Sequence, residues 1–273
     1  MTAPLTDSDV SWNTFRYVAD FLHLFGVLCV LAALAVNRTC KGLSLKTQVL
    51  YLVIFVTRYL DLLHYSQQPV YLIVFKLTFI STSVFIVYCM SVPLKPTVEQ
   101  NKDTVNISVI LACCALFALI STTSSTLIRT LWTYSEWLEA FAMVPQYVFC
   151  YRESLKPPSP TPFVPWFVLS VGGYRVFYAL NWMYKRFMLG VSYSDRNSWI
   201  GGTIEILLFA DFVAHRLFGF HSKLQAAMLG IDDKVNEIGG VELETIDEET
   251  RALGTVRRRK NDYLGEGEGL NEI

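Results

Sequence analysis

Apolar residues are gathered along the chain in seven long stretches, near 16–36, 49–67, 70–91, 105–122, 129–151, 163–184 and 199–219, with short polar breaks between them. Each stretch approaches the roughly 20 residues a helix needs to cross the hydrocarbon core of a bilayer and is too long for a buried strand. The pattern therefore predicts an all-α membrane protein with seven transmembrane helices. An odd number of crossings puts the termini on opposite sides. Cytosolic loops hold the excess of Lys and Arg, which sets the orientation. Arg38, Lys41 and Lys46 follow the first stretch, Lys95 and Lys102 the third, Arg152 and Lys156 the fifth, and Arg216 and Lys223 the seventh. Those connections are predicted to be cytosolic. That leaves residues 1–15 as a lumenal amino-terminal segment, 16–220 as the seven-helix domain and 221–273 as a polar cytosolic tail. Several stretches carry charges, so a strict hydropathy window can lose one of them, with the second, fifth and sixth at risk.

Composition agrees with the pattern. A chain of 273 residues that is 52% hydrophobic and only 17% charged is too apolar for an ordinary soluble domain. A formal net charge of −1 provides no chain-wide basic field for nucleic acid. The six cysteines have neither metal-site nor paired extracellular spacing, and they read as small buried hydrophobes. The first residues lack a basic n-region and a cleavage site, so the first stretch is expected to remain as a membrane helix. Asn37-Arg38-Thr39 is a glycosylation sequon on the predicted cytosolic side, and Asn106 stands at a helix start, so neither is expected to be modified. The tail joins acidic VELETIDEET, a basic cluster Arg257–Lys260 and a glycine-rich end. This is the composition of a disordered segment, with a short helix around Lys223–Leu229. Its basic cluster suits anionic lipid or a coat protein.

The informative chemistry lies inside the stretches. An ionisable group at mid-membrane costs at least about 2.5 kcal/mol on insertion scales, so such groups face one another or an interior cavity. Arg16, Asp20 and His23 share one helical stripe. Arg58, Asp61 and Tyr65 repeat the arrangement on the second stretch. The fifth presents Arg129, Trp132, Glu136 and Glu139; the sixth Tyr174, Arg175, Tyr178, Asn181, Trp182 and Lys185; the seventh Glu205 and Asp211. One buried Arg–Asp pair can simply fix helix packing. Five polar stripes together predict a polar cavity open to the lumen, whose arginines suit a ligand carrying carboxylates. His23 is the side chain whose unperturbed titration falls between pH 5 and 8, so it would favour an anionic ligand in acid. No nucleophile–base pair, metal cluster or phosphate loop accompanies the stripes, so the chain reads as no enzyme, with no cofactor and no metal. Seven spans also fit two parallel three-helix units joined by one extra crossing, a 3+1+3 arrangement.

FRYVADFLHL at 15–24, CKGLSLKTQ at 40–48, TRYLDLL at 57–63, LWTYSEWLEAFAMVPQ at 131–146, YRVFYALNWMY at 174–184 and LLFADF at 207–212 together resemble the ER lumen protein-retaining receptors, or KDEL receptors. The resemblance runs from about Asn13 to Phe218. It implies a seven-helix fold similar to the SWEET and PQ-loop transporters. It also implies a cargo receptor of the endoplasmic reticulum and cis-Golgi that binds C-terminal KDEL-like tetrapeptides in acid and returns their owners in coatomer-coated vesicles. On this resemblance Arg58 and Tyr59 would hold the ligand's terminal carboxylate, Arg16 an acidic side chain, and Asp61 the ligand's basic residue. Tyr174, Asn181 and Trp182 would line the pocket and His23 would sense pH. Arg175 and Glu139 would form an internal pair that rearranges on binding, and Asp211 would serve retrieval rather than ligand contact.

Three departures stand out. Arg129 occupies the slot where the family has an acidic residue beside the ligand's lysine. Lys185 replaces the usual Arg and loses its planar fork. No terminal dilysine follows the basic cluster of the long tail. The first departure predicts a ligand preference shifted away from lysine at the fourth position from the end. A small-solute transporter of the SWEET or PQ-loop type is the alternative that the fold alone allows. The Pro145-Gln146 dipeptide has no counterpart in the first half, where Ser44, Thr47 and Gln48 stand instead.

Overall fold

The computed structural model describes residues 13–63, 70–122, 126–152, 162–188 and 195–239. Among them the regular structure is helical: α1 (Thr14–Asn37), α2 (Leu45–Arg58), α3 (Val70–Ser91), α4 (Ile107–Ser121), α5 (Leu127–Phe141), α6 (Val144–Arg152), α7 (Phe163–Phe187), α8 (Arg196–Phe218) and α9 (Lys223–Ile238). The starts are fixed by side-chain caps, which satisfy backbone donors a helix leaves open. Asn13 accepts from the Arg16 N–H at 3.1 Å, Ser44 from Thr47 at 3.1 Å and Asn106 from Ser108 at 3.0 Å. Asp195 caps α8 through the Asn197 N–H at 3.1 Å. α8 ends at Gly219, whose φ of 65° is the left-handed geometry that glycine adopts at no steric cost.

Two stretches are not single helices. α2 stops at Arg58 and passes into a 3-10 turn over Tyr59–Leu63. The fifth stretch breaks between Phe141 and Val144, just ahead of Pro145, which has no N–H to bond four residues back. α1, α3 and α7 are both long and apolar enough to cross a bilayer, and α4 is a shorter apolar helix. The sixth stretch, one of the three at risk under such a criterion, is kept as α7. Arg175, Lys185 and Arg186 sit in its second half and leave the first half clean. The helix lost instead is α8, 23 residues long but carrying Glu205 and Asp211 at mid-length. α3 is apolar all round, as a membrane helix is, and exposes Val70, Val74, Leu77, Val84 and Phe85.

α1 packs on α7 and α3; α2 on α3, α5 and α6; α5 on α4 and α8; and α7 on α8. The core joins Leu50, Ile54 and Phe55 of α2 to Leu138, Tyr147, Phe167, Val171 and Tyr174. α1 and α7 come close at Gly26, where a Cβ would stand 2.3 Å from Val171 Cγ2.

The end of the bundle where α2 begins is closed by hydrogen bonds. Gln146 is fully buried; it accepts from the Ser44 N–H and donates to the Gly42 carbonyl, both at 2.9 Å. The Gln146 N–H donates to Thr47 Oγ1 at 3.0 Å. Ser44 and Thr47 thus interlock with the dipeptide they fail to copy. Asp103 accepts from Ser44 Oγ at 2.7 Å and the Lys46 N–H at 3.1 Å. Burial pushes its carboxyl above the ordinary carboxylate range, against the pull of those bonds.

Among the described residues, those up to Asp232 belong to one compact unit and those from Asp233 to a second. α9 is a 16-residue helix, longer than the one expected around Lys223–Leu229. The polar residue that composition assigned to a disordered tail, Asp232, is instead buried, accepting from Arg152 Nη2 at 2.7 Å and Thr104 Oγ1 at 2.5 Å. The amino-terminal dozen residues, the 66–69 turn and the tail from residue 240 lie outside the described residues.

Candidate functional site

Glu139 is the centre of the polar network. It lies one turn beyond Ser135 on the same face of α5, buried between α2 and α7. Arg58, brought in by the last turn of α2, pairs with it at 2.9 Å. Arg58 also donates through Nε to Ser135 Oγ at 3.0 Å and through Nη2 to the Ser135 carbonyl at 2.9 Å. From α7, Arg175 donates to the same carboxylate, and the Tyr174 hydroxyl donates to it at 2.6 Å. Arg175 Nε reaches Glu205 of α8 at 2.7 Å. Two guanidiniums and two carboxylates from four helices thus balance in formal charge. Only such mutual pairing offsets the desolvation of groups this deeply buried.

His23 lies against this network with 7% of its surface exposed. Its ring stacks on Tyr174, centroids 4.4 Å apart, and is walled by Phe79, Tyr51 and Phe55 at 4.9, 5.6 and 5.7 Å. Charge on this imidazole would sit against the ring whose hydroxyl holds Glu139. Arg175 further lies 5.7 Å from the Trp182 ring and 6.0 Å from Tyr178.

Three smaller clusters surround the centre. Asp20 accepts from the hydroxyls of Tyr178 and Tyr71, the latter at 3.1 Å; Arg16, one turn earlier on α1, is half-buried. Asp61, on the 3-10 turn, pairs with Lys76 of α3 at 2.5 Å. Lys76 also lies 5.7 Å over the Tyr59 ring, which stacks on Phe55. At the start of α5, Trp132 Nε1 donates to Glu136 at 3.2 Å, and Ser198 Oγ donates to it at 2.7 Å. Arg129, with 44% of its side chain exposed, reaches Asp195 at 3.4 Å. Asn181 accepts from Asn13 at 2.7 Å, Trp182 meets Trp199 at 5.2 Å, and Lys185 is buried on α7.

The structure therefore brings together Arg58, Glu139, Tyr174, Arg175 and His23, with Trp182 and Tyr178 at the edge. It separates Arg58 from Asp61. Sequence spacing put them on one helical stripe, but the α-helix ends between them, and they turn to different partners. The stripes expected to line an open cavity are linked to one another across the helix interfaces. Asp211 stands apart, accepting from Tyr151 at 3.1 Å six residues beyond Glu205, about 9 Å further along α8. Tyr65 lies outside the described residues. Lys76, Tyr71, Ser135 and Ser198 escaped the sequence reading. Only Lys76 carried a legible signal, as the single charge in the apolar run Val70–Ser91.

Residues 39–185 match the profile of the ER lumen protein retaining receptor family. Over 200 residues, 73% of this chain and 91% of its relative, the sequence is 35% identical to an ER lumen protein-retaining receptor of Drosophila melanogaster. Receptors of the same name from Dictyostelium discoideum and Petunia hybrida are 32% and 35% identical over 206 and 202 residues, each covering 73% of this chain and 91% of the relative. The chain belongs to this family. Membership makes it a receptor in kind. Arg58, Glu139, Tyr174 and Arg175 all fall inside the matched segment.

Proposed function

We propose that the protein is a retrieval receptor. It captures the free C-terminal tetrapeptide of ER-resident proteins in the acidic cis-Golgi and returns them to the endoplasmic reticulum through coatomer recruited by its cytosolic side. One observation carries this reading: arginines from two different helices converge on a single buried carboxylate, Glu139, that a ligand carboxylate could replace. Arg58 would turn from Glu139 to the ligand's terminal carboxylate beside Tyr59. Arg16 and Lys185 would meet the ligand's acidic side chains, and Asn181, Trp182 and Tyr174 would line the groove. A proton on His23 adds positive charge behind Tyr174 and so favours an incoming anion in acid; loss of that proton at neutral pH favours release. Asp211 would serve retrieval away from the ligand.

The reading takes seven spans in a 3+1+3 arrangement, with α5 and α6 together as the fifth, the amino terminus lumenal and the carboxyl terminus cytosolic. The neighbour pattern supports it. α1 against α7 is mirrored by α5 against α2, α2 against α3 by α7 against α8, and α1 against α3 by α5 against α8, with α4 as the extra crossing.

The ligand differs from plain KDEL. A lysine at the fourth position from the end would need Asp61, which Lys76 already neutralises, and would stand near the guanidinium of Arg129. A neutral or acidic residue there fits better. The test is binding of tetrapeptides varied at that position to the purified full-length protein, at pH about 5.5 and about 7.4, on either side of the histidine titration. Acid-dependent binding that needs a free terminal carboxylate is expected. Binding that ignores both pH and the carboxylate overturns the reading.

A further inference from the structure

α9 divides into three sectors when its residues are laid out at about 100° per residue. Gln225 and Asp232 share one sector and are buried, Asp232 on Arg152 at the end of α6 and on Thr104 just before α4. Leu224, Met228, Ile231, Val235 and Ile238 fall together in a second sector, about a quarter-turn to one side; Leu224 and Ile231 are 39% and 62% exposed. Lys223, Asp233, Lys234 and Glu237 occupy the third, on the other side, interleaved with Ala226, Ala227 and Gly230.

A helix floating in water has no use for an exposed apolar sector, and one covered by the bundle alone would turn that sector inward. Here the inward sector is polar, with Asp232 in an ion pair, and of the apolar sector Met228 packs on the bundle while Leu224 and Ile231 stay exposed. Just before it in the chain, the last turn of α8 exposes Leu217 and Phe218 and is followed by exposed Phe220, so apolar exposure runs on from α8 into α9. Asp232 reaches the feet of α6 and α4 while α9 starts at the foot of α8, so the helix crosses the end of the bundle over about 15 Å rather than leaving it. A protein sector, an apolar sector and a charged sector side by side are what a helix at the rim of a membrane bundle needs: one side on protein, one in lipid, one in water.

We infer that α9 is an interfacial membrane helix, pinned to the bundle by Asp232 and seated in the bilayer through Leu224 and Ile231. The inference rests on the membrane reading of the helices above it. Lys223 and Lys234 bracket the segment 224–234, so trypsin releases it as one peptide. The full-length protein is reconstituted in phosphatidylcholine vesicles containing a phospholipid with a photoreactive acyl chain, irradiated and digested. Adducts on Leu224 or Ile231 are expected, with loss of yield in Ile231→Asp and no adduct on Asp233. Labelling of α3 peptides with an unlabelled 224–234 peptide overturns the inference and leaves the membrane reading intact. If α3 stays unlabelled too, the membrane reading itself fails. Spin labels at 224 and 231 in the same vesicles give an independent reading. They should be reached by oxygen and shielded from a water-soluble nickel chelate; access by the chelate, or shielding from both by a second protein surface, refutes lipid as the occupant.

Discussion

Arg58→Ala tests the central exchange of carboxylates most directly. In the structure Arg58 gives one contact to Glu139 and two to Ser135, while Glu139 keeps Arg175 and Tyr174 when Arg58 is lost. The fold should therefore survive, but the balanced cluster of two cations and two anions becomes net negative and repels an incoming carboxylate. Truncating one partner of a buried, hydrogen-bonded charge pair costs about 2–5 kcal/mol, which is about 30-fold to several thousand-fold in Kd. Total loss of binding would not by itself show which ligand group Arg58 holds, so the peptide supplies the second arm of a double-mutant cycle. Free-acid and C-terminally amidated tetrapeptides are titrated into wild-type, Arg58→Lys and Arg58→Ala protein at pH about 5.5, within the acid side of the histidine titration. Amidation should cost the full penalty in wild type, less in Arg58→Lys, which keeps charge but loses the planar fork, and almost nothing in Arg58→Ala. An amidation penalty that persists undiminished in Arg58→Ala would place the terminal carboxylate elsewhere and refute the exchange with Glu139.

Lys76→Met should release Asp61 and raise affinity for peptides with lysine at the fourth position by about tenfold, the scale of one partly buried charge interaction near 1.4 kcal/mol, as read by the same titration. Addition of Arg129→Glu should raise it further, and no change in either variant removes both residues from selectivity. His23→Phe keeps a ring on Tyr174 without a titrating proton, so the ratio of affinities at the two pH values should fall towards one, from at most about tenfold per pH unit for one linked proton. Gln146→Ala leaves the Ser44 N–H and the Gly42 carbonyl buried without their partner and should cost about 2–6 kcal/mol, at about 1–3 each, seen as a lowered Tm in detergent. Gly26→Ala forces α1 away from Val171 and should cost about 1–3 kcal/mol in the same assay, with weakened peptide binding because His23 sits one turn away.

What the sequence disclosed and what it hid divide along a physical line. Helix existence was legible because apolar runs of membrane length have few alternative fates, and Asn106 announced where α4 begins, whereas the caps Asn13, Ser44 and Asp195 emerged only with the structure. Glu139, Arg175 and Arg58 stood out because a charge in hydrocarbon must find a partner. Which partner it finds depends on where helices end, and that is decided by one or two residues. The end of the α-helix at Arg58 turns Asp61 away from the stripe that spacing assigned to it, and that leaves Asp61 to Lys76, a charge easily passed over inside the most apolar helix of the first three. Serine partners such as Ser135 and Ser198 were illegible for the opposite reason: a serine costs little anywhere, so its position carries no signal until Arg58 and Glu136 are seen against it. α9 was misjudged on composition, since Asp232 counts as a solvent residue until the guanidinium of Arg152 is found beside it. In each case a charge proposes a contact and a helix terminus disposes of it. The short segment between Arg58 and Leu63, where the α-helix gives way to the 3-10 turn, accordingly decides that Arg58 pairs with Glu139 and Asp61 with Lys76.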